Sequence, residues 1–364
     1  MNNPLLPGDP IPRFAVPARH VPRFHFDSVG GRIIVLSFIG GAMRPGMTEF
    51  LADIAARPDV FDNVRAAFFA VSNDPADATT NAAHIPSHAA IHLFWDFAGE
   101  IAGGYGARGP SGFTPATFII DQALRLLAIL PIVDPARHAA EIIARLADLP
   151  DAQAEARPAP VLVLPRVLEP ELCRRLIAYY EGAGGEDSGF MREENGLTVG
   201  VVDYKMKRRR DCNIEDDGLK AALKERIERR LVPEIRRAFN FQPTRIERYI
   251  VACYDAGEGG YFRPHRDNTT KGTAHRRFAV TINLNAEDYE GGELRFPEFG
   301  PQTYRASTGG AVVFGCSLLH EATPVRRGRR YCTLPFLYDE EGHALRERNL
   351  RYLATGSGTD RGAA

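Results

Sequence analysis

Hydrophobic positions in the first 150 residues gather into continuous runs. Arg32-Ile33-Ile34-Val35-Leu36-Ser37-Phe38 and Ala66-Ala67-Phe68-Phe69-Ala70-Val71-Ser72 lack the polar alternation of a half-wet strand. Both read as strands buried on two faces of a sheet. Between them, Thr48 to Arg57 has helical spacing. Phe118-Ile119-Ile120-Asp121 and Leu126-Leu127-Ala128-Ile129-Leu130 read as a hairpin. His138 to Leu146 places Ile142, Ile143 and Leu146 on one helical face. The order strand, helix, strand, hairpin, helix predicts a thioredoxin-like α/β domain.

The pattern then changes. Residues 149–160 are polar, Ala-rich and Pro-ended, as in a linker. Val161-Leu162-Val163-Leu164-Pro165 is a short strand, and Pro170 opens an amphipathic helix. Residues 182–189 read as loop. Asp217 to Phe239 reads as one long basic helix, with Leu219, Leu223, Ile227, Leu231 and Ile235 at four-residue spacing. Strands dominate afterwards, including Ile250-Val251-Ala252-Cys253-Tyr254 and Gly309-Gly310-Ala311-Val312-Val313-Phe314. Helices first and strands later suit a double-stranded β-helix, or jelly roll, buttressed by helices. The expected organisation is a domain over 1–148, a linker over 149–160, a domain over 161–345 and a tail over 346–364.

Composition narrows the function. A length of 364 residues suits two domains, and 44% hydrophobic with 25% charged residues is ordinary for a globular protein. A net charge of −1 argues neither for nucleic acid nor for a membrane surface as partner. No apolar run approaches a membrane span, and the start Met1-Asn2-Asn3-Pro4 lacks a secretory pattern, so a cytoplasmic protein is expected. The cysteines at 173, 212, 253, 316 and 332 show no CxxC or zinc spacing and read as reduced core thiols.

The candidate chemistry lies in Tyr261-Phe262-Arg263-Pro264-His265-Arg266-Asp267-Asn268. His265 and Asp267 stand two apart, which on a strand aims both at one point. His320 follows the glycine-bounded strand at 309–314. If the strands are neighbours, two histidines and one carboxylate face a metal with positions left open, the pattern of non-haem Fe(II) oxygenases. Zinc with three protein ligands is the generic competitor.

Four ordered motifs extend this. Cys253-Tyr254-Asp255 leads to His265-Arg266-Asp267-Asn268, followed by Thr281-Ile282-Asn283-Leu284-Asn285. Next comes Glu290-Gly291-Gly292-Glu293-Leu294-Arg295-Phe296. Last is His320-Glu321-Ala322-Thr323-Pro324-Val325, ending in Gly328-Arg329-Arg330-Tyr331. With these, residues 160–340 resemble the 2-oxoglutarate/Fe(II) dioxygenases of the prolyl 4-hydroxylase type. The resemblance implies Fe(II) on His265, Asp267 and His320. It also implies 2-oxoglutarate with its distal carboxylate on Arg330, ten positions after His320, and O₂ at the remaining position. A guanidinium fork suits a carboxylate and favours iron over zinc here. Alternation turns Arg329 away from Arg330 and Glu321 away from the metal, and Arg326 and Arg327 read as solvated. Tyr254 is a candidate co-substrate contact. Asn283 stands where some relatives have a second co-substrate tyrosine. Gly291-Gly292 reads as a tight turn or bulge. The implied reaction decarboxylates 2-oxoglutarate to succinate and CO₂ while hydroxylating a substrate, and ascorbate keeps the iron reduced. A peptide or protein side chain, proline first, is the implied substrate, with a small molecule as the variant.

The first domain carries a second resemblance. Leu5, Pro7-Gly8-Asp9-Pro10, Phe14, the loop Ala42-Met43-Arg44-Pro45-Gly46-Met47-Thr48-Glu49, and Thr114-Pro115-Ala116-Thr117-Phe118-Ile119-Ile120-Asp121 resemble a peroxiredoxin over residues 4–147. That family implies a Thr where this chain has Arg44 and a peroxidatic Cys where it has Met47. A thioether cannot become the thiolate such chemistry needs. This half reads as inactive, leaving a structural, substrate-presenting or homodimerising role.

Two other clusters compete for attention. His84, His88 and His92 share a helical spacing that Pro86 interrupts, and surface or loop positions explain them better. Lys205-Met206-Lys207-Arg208-Arg209-Arg210-Asp211 reads as a solvated face or pocket rim, within which Arg209, Arg210 and Asp211 are candidate substrate contacts. An alternative to the enzyme is an oxygen- or iron-responsive adaptor whose inactive half binds a partner. The missing thiol predicts that the protein leaves added hydroperoxide unconsumed in a thiol-coupled peroxidase assay, and turnover there would refute an inactive first half.

Overall fold

A computed structural model describes residues 4–19, 21–82, 85, 91–149 and 157–354. It divides into two compact units, Met1–Arg157 with Pro297–Pro301, and Pro158–Phe296 with Gln302–Ala364. Most of the expected linker falls outside the described residues. Among those described, no helix is long and apolar enough to cross a membrane.

The first unit is a seven-stranded sheet in the order Val21–His25, Ala15–Ala18, Ile91–Trp95, Ala66–Ser72, Ile33–Gly40, Ala116–Ile120, Leu126–Pro131. The three central strands run parallel, and Ile33–Gly40 pairs antiparallel with Ala116–Ile120. This is the thioredoxin-like α/β fold, with Met47–Ala55 and Pro135–Ala147 as its main helices. Continuous apolar runs occur where strands are covered on both sides. Leu36, Phe38 and Phe69 pack into one cluster, while Val35, Phe68 and Ala70 pack into the other with Phe50 and Ile142. The strand Ile91–Trp95 was not anticipated. His92 lies on it and stacks on Phe69 (ring centroids 4.8 Å), so it has no helical face to share. His84 and His88 lie outside the described residues.

The second unit is a jelly roll. Its large sheet runs Val161–Leu164, Ala311–Gly315, Phe278–Asn283, Arg329–Thr333, Ile250–Asp255, Arg210–Asn213, Glu186–Asp187. A smaller sheet contains Lys207–Arg208, Tyr261–His265, His320–Ala322, Leu294–Arg295 and Thr303–Tyr304. One face of the large sheet, with Val251, Cys253, Val280, Ile282, Val313 and Tyr331, packs on Leu176, Leu219, Leu223, Ile227 and Ile235 from the helices. Its other face, with Ala252, Tyr254 and Cys332, lies in a separate cluster with Phe262 and Ala322 of the small sheet. All five cysteines are buried and free.

Three local differences have physical causes. The long helix is not uniform: Asp217–Arg226 and Val232–Phe239 are α-helical, but Ile227–Leu231 is a π turn. Pro233 has no N–H for the carbonyl four residues back, so the preceding turn widens. The loop at 182–189 contains Glu186–Asp187, a short edge strand pairing with Arg210 and Asp211. The expected tail begins inside a helix. Glu340–Asn349 is helical, capped by Asp339, and Leu353 bridges Thr198.

Leu223 is fully buried between the helices and the large sheet. Leu223→Ala should destabilise the second unit by about 2–5 kcal/mol. The check is urea unfolding followed by circular dichroism, with fluorescence of Trp95, the sole tryptophan and a residue of the first unit, as internal control.

Candidate metal centre and co-substrate pocket

The strand Tyr261–His265 pairs antiparallel with His320–Ala322, setting His265 directly across from His320. The strand ends at His265, so strand alternation does not position Asp267. Its backbone N–H instead donates to the Cys316 carbonyl (3.0 Å), which turns the carboxylate back between the imidazoles. His265 Nε2 stands 3.5 Å from Asp267 Oδ1, and His320 Nε2 stands 3.3 Å from Oδ2. The candidate ligand atoms all lie within 4.8 Å of one another. Donors about 2.1 Å from one ion and at right angles would stand about 3 Å apart, close to this spacing.

The imidazoles are oriented from behind. His265 Nδ1 donates to the Arg263 carbonyl (2.7 Å), and His320 Nδ1 donates to the Leu318 carbonyl (3.0 Å). A carbonyl only accepts, so each Nδ1 carries the proton and each Nε2 presents a lone pair. Phe262 stacks on His265 (3.5 Å), and Phe314 flanks His320 (4.5 Å). Burial pushes the His320 pKa down to about 4, which keeps the ring neutral at pH 7. Burial opposes charge on Asp267, but His320 and His265 outweigh it and hold the carboxyl well below its ordinary range.

The neighbouring pocket centres on Arg330. It lies across from Tyr254 on adjacent strands, is 2% exposed, and sets its guanidinium 5.0 Å from the Tyr254 ring centroid. Among the described residues its Nε and Nη1 have no hydrogen-bond partner, and neither does the buried hydroxyl of Tyr289. Donors left empty inside a protein mark a site for an acceptor. Gly292, at φ +68°, makes room: a Cβ there would meet Arg330 Cδ at 3.0 Å. Gly291 sits at a register shift and would press a Cβ to 2.2 Å from the Pro324 carbonyl oxygen. Asn283 donates from Nδ2 to the Ala306 carbonyl (2.7 Å), while its Oδ1 is buried without a partner. Arg329 points the other way, to Asp255 (2.7 Å), and Glu321 pairs with Arg295. Arg326 and Arg327 are exposed.

In the first unit, Met47 is 3% exposed and packs into the core at the start of its helix. Arg44 is exposed, its guanidinium 5.7 Å from the Phe113 ring centroid. Nothing at that loop replaces the absent thiol.

Comparison with known proteins matches residues 249–338 to the 2OG-Fe(II) oxygenase superfamily and residues 7–128 to the AhpC/TSA family. A PKHD-type hydroxylase of Synechococcus is 31% identical over 129 residues, which are 32% of this chain and 57% of that protein. Another, of Pseudomonas fluorescens, is 38% identical over 92 residues, 23% of this chain and 40% of its own. The chain thus spans about half the length of these relatives. Among solved structures, peroxidoxin BcpB from Mycobacterium tuberculosis is 24% identical, covering 40% of this chain and 99% of that one, at TM-score 0.36. Viral collagen prolyl hydroxylase vCPH from Paramecium Bursaria Chlorella virus-1 is 16% identical, covering 50% and 97%, at TM-score 0.38.

Just before the matched stretch begins, the chain supplies a charged layer that sequence reading placed differently. The basic run at 205–211 is no uniform solvated face: Lys207 and Arg209 are buried, while Lys205, Arg208 and Arg210 are exposed. Arg209 holds Asp211 through two hydrogen bonds (2.7 and 2.6 Å) and reaches the Tyr254 hydroxyl (3.4 Å). Arg210 pairs outward with Asp187 and Glu258. Lys207 was read only as part of that solvated run, and Tyr289, Arg248 and the Glu247–Arg276–His275 group were not singled out. Tyr289 alone had a signal, standing just before Glu290-Gly291-Gly292.

Glu247 accepts from Arg276 (2.5 Å) and His275 (2.7 Å), all three buried. Burial disfavours its charge, but Arg276 and the His275 hydrogen bond hold the carboxyl well below its usual range. Glu247→Ala would strand the Arg276 charge and should cost about 3–5 kcal/mol, measured by urea unfolding of the second unit.

Proposed function

We propose that this chain, which carries a 2OG-Fe(II) oxygenase domain beside an AhpC/TSA-type domain, is an Fe(II)- and 2-oxoglutarate-dependent hydroxylase acting on a peptide or protein side chain. The observation that carries the reading is a buried guanidinium with empty donors, set against Tyr254, which packs in one cluster with Phe262 and Ala322 of the two strands that carry His265 and His320. His265, Asp267 and His320 would hold Fe(II), leaving further positions open. Bound iron supplies O₂ activation coupled to decarboxylation of 2-oxoglutarate to succinate and CO₂. The protein's part is to hold, orient and exclude water.

Arg330 offers two buried donors to the distal carboxylate, and Tyr289 offers a hydroxyl beside them. Tyr254 stands against the Arg330 guanidinium and keeps that end of the pocket dry. The backbone carbonyls of Arg263 and Leu318 fix which nitrogen each imidazole presents. The neutral state of His320 leaves its lone pair available down to mildly acid pH. The relatives named as PKHD-type hydroxylases support the reaction class, and the motif resemblance to prolyl 4-hydroxylases makes proline the first residue to test.

Succinate release from 2-oxoglutarate, dependent on Fe(II) and O₂, tests the proposal, with His320→Ala as the blank. Arg330→Ala should raise the 2-oxoglutarate KM about 10- to 100-fold, the loss expected for a charge-assisted contact worth roughly 1.5–3 kcal/mol. An unchanged KM would remove Arg330 from the co-substrate site.

A further inference from the structure

Three basic side chains, Lys207, Arg209 and Arg248, gather around one carboxylate, Asp211. Asp211 accepts from Arg209 Nε and Nη2, from Arg248 Nη2 (3.1 Å) and from the Ser188 hydroxyl (2.5 Å), so its oxygens are saturated. Lys207 Nζ donates to the Ser188 hydroxyl and the Gly189 carbonyl (2.6 Å each), and no carboxylate of the described residues lies within ion-pair distance of it. Arg248 spends one contact on Asp211, and its flat face lies over the Phe336 ring (5.5 Å). The remaining nearby acids have other duties: Glu247 is bound by Arg276 and His275, and Asp267 stands between the candidate metal-binding imidazoles. Even with Lys207 uncharged, two guanidiniums share the one carboxylate of Asp211, so the group retains positive charge that no other acid of the described residues pairs with, although buried charges are ordinarily paired.

The backbone at Arg248 is also unusual. Its φ is +71°, a left-handed conformation that L side chains with a Cβ adopt at a cost. The kink breaks the strand's alternation. Tyr249 packs toward the helix-side core, while Glu247, across from Phe336, lies with Arg276 and Ile250 packs with Tyr254 in the barrel. Arg248 keeps 16% of its side chain exposed, in contrast with the closed surroundings of Arg330. Lys207 Nζ lies 4.9 Å from the centroid of the Phe262 ring, which stacks on the metal-site His265 (3.5 Å), so the basic group adjoins the metal centre.

We infer that the substrate presents a carboxylate to Arg248 and Lys207, which hold it beside the metal centre; this rests on the hydroxylase reading. Burial, with Arg209 alongside, holds the Lys207 pKa well below the usual lysine range, and an arriving anion would draw the proton back. The carboxylate has two sources, the free α-carboxylate of an amino acid or an acidic side chain of a peptide.

Calorimetric titration of the whole protein, loaded with redox-inert Zn(II) and saturating 2-oxoglutarate, tests this without turnover. One arm compares free L-amino acids, proline included, with their amides. The other compares N-acetyl dipeptide amides carrying Asp or Glu with their Asn and Gln counterparts. At least one arm should show tenfold or greater preference for the charged member, and that arm names the source. Arg248→Gln should abolish the preference, Arg248→Lys should keep most of it, and both should bind 2-oxoglutarate like the native protein. Equal affinity in every pair, no saturable binding of any carboxylate probe, or loss of 2-oxoglutarate binding in both variants would overturn the inference. Loss of succinate release with intact preference would count against the hydroxylase reading alone.

Discussion

A carboxylate placed inside a barrel must be compensated, and at Asp267 the geometry leaves that task to a cation. Its oxygens face two imidazole nitrogens whose lone pairs point inward because each ring spends its proton on a backbone carbonyl. That arrangement leaves electron-rich atoms converging on one point, which is comfortable only around a cation. It depends on one register, His265 against His320. A one-residue slip would turn a ligand to the outer side of the small sheet and dissolve the centre.

The large sheet divides its labour between faces. The side against the helices is almost wholly apolar, and burial of Leu176, Leu223, Ile227 and Ile235 supplies cohesion at roughly 1.5–3 kcal/mol per side chain. The opposite side carries charge. Arg209, just before the strand Arg210–Asn213, and Arg330 flank Tyr254, whose ring lies 5.7 and 5.0 Å from the two guanidinium carbons. A face of this kind gains little from burial and is tolerable because the helix side stabilises the sheet. Function is thereby confined to the surface that contributes least to folding.

The first unit keeps the fold while carrying Met47 where the resemblance implies a peroxidatic cysteine. The loop before its first helix is held by fully buried Asp77, which accepts from the Ala42 N–H (2.7 Å), the Ser72 hydroxyl (2.6 Å) and Asn81 (3.0 Å). Met47 then enters the core as an apolar side chain. The scaffold persists because packing of Phe38, Phe50, Phe68 and Phe69 maintains it, and a thiol at that turn contributes nothing to such packing.

Spacing alone revealed much of this protein. Continuous apolar runs marked the doubly covered strands, since a strand with no wet face has no need of polar alternation. The convergence of His265, Asp267 and His320 was legible from residue type and order, whereas Arg330 was singled out by the resemblance that the motifs carry. Short-range consequences of proline and glycine were partly readable too, although the π turn ahead of Pro233 was not. Only the tertiary structure decided which charges of the 205–211 run lie inside, that Arg248 turns at a left-handed residue, and that Tyr289 and Glu247 join the interior. Those outcomes arise where strands from distant parts of the chain meet, and a charged side chain reads the same in sequence whether it faces water or a partner brought from a hundred residues away.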